Sequence, residues 1–64
     1  MDIQDVKIGD KVRIVHYGKK SFPMTVVGIF SSMTHPHRGT LYLDFEGNTG
    51  DVWEEEVEDV EKAE

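Results

Sequence analysis

His35-Pro36-His37 sets two imidazoles two positions apart, and with His16 as a third it is the nearest approach in this chain to a metal-ligand set. Zinc needs three or four ligands fixed by the fold. A His-x-His in a polar stretch is more commonly solvated, so no metal and no other cofactor is expected. The run Asp44-x-Glu46-x-Asn48, with Glu55 in the twelfth position, follows calcium-loop spacing. Its sixth position is Thr49 where that loop turns on glycine, and its flanks read as strands rather than helices, so calcium is set aside. Ser21, Ser31 and Ser32 are the only serines, none lies in G-x-S-x-G, and there is no cysteine, so nucleophilic catalysis has no player. The carboxylates of Glu54 to Glu61 form a contiguous acidic run, which reads as a solvated face rather than a tuned acid and base. The chemistry points away from an enzyme.

Four aromatic residues, Tyr17, Phe22, Tyr42 and Trp53, find no place in a core by strand parity. Tyr and Trp are enriched on binding faces because each presents a large area at low entropic cost. The competing reading packs Phe22 and Trp53 into a second small core beneath the loops. Charge adds a direction. Residues 1–40 carry six Lys or Arg against three acids, whereas residues 41–64 carry ten acids against Lys62, within a net charge of −6. An acidic half repels phosphate backbones and attracts basic partners. Together with Glu54 and Glu55, the aromatics point to a protein or peptide partner of basic character. Nucleic acid is the alternative, through Lys19, Lys20, His37 and Arg38 on the loops.

The elements that must position these residues are short strands. Leu41, Leu43 and Phe45 alternate with Thr40, Tyr42, Asp44 and Glu46, the period of a strand with one buried and one wet face. Gly47 and Gly50 bracket Asn48-Thr49, where the chain can reverse into a hairpin ending near Trp53. A four-residue loop sets Phe45 opposite Val52 and Asp44 opposite Trp53, which leaves Trp53 on the outer face with Tyr42 diagonal to it. Upstream, Lys11–His16 reads as a first strand after a Gly9-Asp10 turn, with the N-terminal segment lying over one end of the core. Tyr17–Pro23 reads as a loop. Met24–Phe30 is a second strand, its Val26-Val27 pair fitting a strand covered on both faces and its Gly28 marking a bulge. Ser31–Gly39 is a second loop, polar and expected to be the most mobile. After the hairpin come a tight helical turn at Glu54–Glu56, a last strand at Val57–Glu61 and a frayed tail.

At 64 residues this is one domain with a small core, its body spanning residues 6–61. The longest apolar run falls far short of a membrane span, and the opening MDIQDVK lacks a basic and then apolar leader, so a cytoplasmic, non-membrane chain is expected. Nothing in the sequence specifies an oligomeric state.

Five short strands with a tight hairpin and no long helix suit a small closed β-barrel, which removes sheet edges. The residues IGDKVRIV, TVVGIF and LYLDFEGNTGDVWEEEVEDVE resemble SH3-like barrels of the KOW and Tudor-like type, and short bacterial and phage proteins built on that barrel. The resemblance implies an all-β, five-stranded SH3-like barrel, and a groove lined by Tyr17, Phe22 and Trp53 between the first two loops and the end of the hairpin. A KOW module has a glycine just before its second strand where this chain has Phe22-Pro23-Met24, and the loops are not strongly basic, which turns the implied role away from RNA.

Overall fold

The computed structural model describes residues 1–45 and 51–63. Six strands follow in chain order: β1 (Lys11–His16), β2 (Lys19–Lys20), β3 (Met24–Ser31), β4 (Gly39–Asp44), β5 (Trp53–Glu56) and β6 (Val60–Lys62). Among the described residues the only helical pieces are two 3-10 turns, Ile3–Asp5 and Val57–Asp59. All pairings are antiparallel, in the order β2-β1-β3-β4-β5, with β6 pairing β1. The all-β expectation holds. The strands form an open curled sheet, a half-barrel of six strands, where a closed barrel of five was expected. Among the described residues no ladder joins β5 to β6, so the curl has a seam.

The concave side holds the core. Ile3, Val6, Val12, Met24, Val26, Leu41, Leu43, Val57 and Val60 are buried, and every one is aliphatic or Met. Each such side chain contributes roughly 1.5–3 kcal/mol by leaving water. The N-terminal turn closes one end as expected, and Ile3 extends the core to the chain's third residue. Leu41 and Leu43 alternate with half-exposed Thr40, Tyr42 and Asp44, so β4 follows its sequence pattern. In β3 the register shifts between Val26 and Gly28, the bulge that Gly28 suggested. Val27 is the extra residue and is exposed, so β3 is not covered on both faces there.

Three sequence expectations are corrected. The first is the hairpin register: Leu43 pairs with Trp53, Tyr42 with Glu54 and Leu41 with Glu55, one residue away from the expected pairing. This places Trp53 on the concave side beside Leu43 and Phe45, and it puts Glu55 on that side too. By side-chain parity alone a Glu opposite buried Leu41 is a poor match. Packing of the chain's largest aromatic against Phe45, a tilted ring pair worth about 0.5–1.5 kcal/mol beyond its area, outweighs it because Glu55 reaches the open seam and a histidine partner there. The hairpin turn itself, Glu46–Gly50, lies outside the described residues, as does the C-terminal Glu64. The second concerns the end of the chain: the return strand begins at Trp53 rather than ending there, so the tight turn falls at Val57–Asp59 and the last strand at Val60–Lys62. The shift buries Val57 and Val60 together, which the expected Val57–Glu61 strand could not do, because residues three apart in one strand point to opposite faces.

The third is the Tyr17–Pro23 loop, which contains β2. His16 pairs with Lys19, leaving Tyr17-Gly18 as a two-residue turn with φ of 52° and 78°. Positive φ at both central positions is what a type I′ turn requires. Beyond it Ser21 extends the pairing: its N–H donates to the Ile14 carbonyl, its Oγ accepts from the Ile14 N–H, and its carbonyl accepts from Arg13 Nη1, at 2.8, 2.8 and 2.9 Å.

The Ser31–Gly39 loop, expected to be mobile, carries its own hydrogen bonds. Ser32 Oγ accepts from the Thr34 and His35 N–H groups, and Gln4 Nε2 donates to the Pro36 carbonyl at 3.0 Å. At its end, Arg38 donates through Nε and Nη2 to Glu58 Oε1. That pairing holds the Glu58 carboxyl below its ordinary value of 4.5, with Arg38's hydrogen bond as the main cause. A carboxyl depressed in the fold adds stability that is present above its unfolded value and is lost as pH falls through the folded one. Arg38→Gln is therefore expected to lower the melting temperature at neutral pH, with the difference from wild type closing in acid. Melting curves taken between neutral pH and acid pH check this, and a difference independent of pH would contradict it.

Candidate cleft at the seam of the half-barrel

Where β1 and β2 meet the free side of β5, the curl leaves a cleft of about 550 Å³ lined by Ile14, His16, Tyr17, Lys19, Lys20, Ser21, Trp53 and Glu55. Each wall follows from local structure. Ile14 and His16 continue the inward parity of Val12 along β1. Trp53 and Glu55 are inward because they pair with Leu43 and Leu41. Tyr17 stands at the hairpin tip, fully exposed, its ring edge-on to His16 with centroids 6.5 Å apart.

Trp53 is 40% exposed. It packs at a tilt of 56° against Phe45, ring centroids 5.4 Å apart, and Phe45 packs edge-to-face on Phe22 at 5.1 Å. The three rings form an aromatic row at the open end with Phe22 and Trp53 still exposed. The second small core that the sequence offered as an alternative is therefore present only as a partly covered cluster, and Trp53 presents surface to the cleft. Tyr17 and Trp53 thus share one groove, and Phe22 reaches it only through Phe45. Tyr42 and Glu54, expected beside Trp53, pair with each other on the convex face, where Tyr42 lies across from Gly28. The one-residue register shift separates them from the groove, and of the two acids named from sequence only Glu55 lines it.

His16 Nε2 lies 3.2 Å from Glu55 Oε1 and 4.0 Å from Asp59 Oδ2. This links the end of β1, β5 and the Val57–Asp59 turn across the seam where no backbone ladder runs. The sequence considered His16 with His35 and His37; the fold separates them. His35 lines a different depression of about 370 Å³ with Phe30, Met33, Arg38 and Glu58. His37 Nδ1 is 2.5 Å from Asp2 Oδ2. The Asp2 carboxyl is held below its ordinary value of 3.8, chiefly by the Gln4 N–H and then by His37. Asp59 escaped sequence reasoning because it sat within an acidic run with nothing to single it out.

The basic side chains are largely engaged. Lys20 Nζ is 2.7 Å from Glu61, Lys62 Nζ 3.6 Å from Asp10, and Arg38 is committed to Glu58. Among the described residues no helix is long and apolar enough to cross a membrane. Comparisons with protein-family models, curated proteins and solved structures returned no match.

Proposed function

We propose that this protein is a non-catalytic binding module of SH3-like kind, which takes an extended protein segment with basic and apolar side chains in the cleft between the β1–β2 tip and β5. The observation that carries this reading is Tyr17. A bulky aromatic with φ of 52° sits where Gly, Asn or Asp would be lower in energy, and it is fully exposed, with one loose edge-on contact to His16 as its ring partner. A residue that breaks a local rule for so little burial is a mark of a functional position. Trp53 supports it from the opposite wall as a flat, half-open anchor, and Glu55 supplies the acidic character that steers a basic segment.

The nucleic-acid reading has less support, because Lys20, Arg38 and His37, three of the four residues it needs, already face carboxylates. Selection from a random displayed-peptide library tests the proposal. Enriched peptides are expected to carry Lys or Arg next to apolar residues. Tyr17→Asn should lose them on the order of tenfold or more while melting at the same temperature or higher, since Asn tolerates left-handed backbone. Peptides that bind Tyr17→Asn as well as wild type would overturn the reading. So would retention on single-stranded DNA or RNA with a steep dependence on salt.

A further inference from the structure

We propose that His16, Glu55 and Asp59 form a site for a first-row divalent transition ion of the zinc type. Among the described residues this is the group of three whose potential ligand atoms all lie within 4.8 Å of one another. The three come from separate elements, the end of β1, β5 and the Val57–Asp59 turn, so their convergence is a product of the fold and not of an acidic run.

An ion pair by itself accounts for only part of this geometry. The single Nε2 can donate one hydrogen bond, and Glu55 Oε1 at 3.2 Å takes it. Asp59 Oδ2, at 4.0 Å, is beyond hydrogen-bond range of the same nitrogen. Two carboxylates therefore face one imidazole, and even a protonated ring leaves one negative charge in excess. Glu55 is the more covered of the two, its side chain 20% exposed on the concave face, and it has the His16 ring as its partner. A cation between the three groups balances the excess charge and engages Asp59 as well. Zinc binds imidazole nitrogen and carboxylate oxygen at about 2.0–2.2 Å, which places ligand atoms on the order of 3–4 Å apart, close to the separations already present.

The donor set selects the ion class. One nitrogen with two oxygens suits Zn²⁺, Co²⁺, Ni²⁺ or Mn²⁺, whereas Mg²⁺ and Ca²⁺ prefer oxygen alone. Three protein ligands on a half-exposed rim leave a fourth position for water or an incoming group.

Trp53 lines the same cleft as His16 and Glu55 and is the sole tryptophan, which supplies a built-in reporter. An open-shell ion such as Co²⁺ quenches the emission of a nearby indole, and Zn²⁺, with a filled d shell, does not. Titration of the full chain with Co²⁺ is expected to quench Trp53 saturably with one ion per chain, to produce visible ligand-field absorption, and to be reversed by Zn²⁺. His16→Gln and Asp59→Asn should each weaken binding on the order of tenfold or more, with melting curves confirming that the variants remain folded. Asp59→Asn separates the metal site from the His16–Glu55 ion pair, which it leaves intact. A His35→Gln, His37→Gln double variant should bind as wild type. Absence of saturable quenching would overturn the proposal. Binding that survives His16→Gln and Asp59→Asn, or that disappears in the double loop variant, would overturn it as well by placing the ion elsewhere.

Discussion

Leu43→Ala is expected to cost about 3 kcal/mol or more, within the roughly 2–5 kcal/mol range for truncating a buried Leu, and to leave much of the protein unfolded in water. Leu43 has no exposed surface and sits where three strands meet, paired with Val26 of β3 on one side and Trp53 of β5 on the other. Neighbours on both ladders are held by backbone bonds, so they cannot collapse into the space and a cavity remains. A domain of this size has a total stability of only about 3–10 kcal/mol. Denaturant unfolding followed by circular dichroism reads the loss as a lower midpoint at unchanged slope. Phe45→Ala, on the same face, should cost less, because Phe45 is only half-buried and packs between Phe22 and Trp53 at the open end. If Phe45→Ala proves the more damaging, the centre of the core lies nearer the aromatic end than the burial indicates.

Gly39→Ala should be nearly as severe for a different reason, at about 2–3 kcal/mol. A Cβ on Gly39 would come within 2.5 Å of the Phe30 carbonyl oxygen and 3.0 and 3.1 Å of the Ile3 side chain. Gly39 pairs with Ser31 at the first step of the β3–β4 ladder, so the carbonyl can retreat only by opening the sheet. Ile3 is a buried core residue and cannot yield without disturbing the N-terminal turn. Gly28→Ala is the control. Its Cβ would meet the Tyr42 ring at 3.1 to 3.4 Å, but that is a half-exposed side chain on the convex face, which can swing aside at a cost below about 1 kcal/mol. Equal effects of the two substitutions would show that Gly39 is not pinned between Phe30 and Ile3.

Much of this fold was determined by sequence. Period-two alternation in Lys11–His16 and in Thr40–Asp44, the Gly9-Asp10 turn and the bulge at Gly28 are local properties, set by parity and backbone permissiveness, and all stand in the structure. The tertiary structure decided the register of β5. Parity assigns faces only within a strand, and the pairing of Trp53 with Leu43 depends on the competition between packing an indole against Phe45 and placing Glu55 inward, which needs His16 from β1 to be tolerable. From that one-residue choice follow the groove shared by Tyr17 and Trp53, the transfer of Tyr42 and Glu54 to the convex face, and the meeting of His16, Glu55 and Asp59. Residues 16, 55 and 59 carry no mutual spacing signal in the chain, because what brings them together is the curl of the sheet, and curl is a property of all the strands at once.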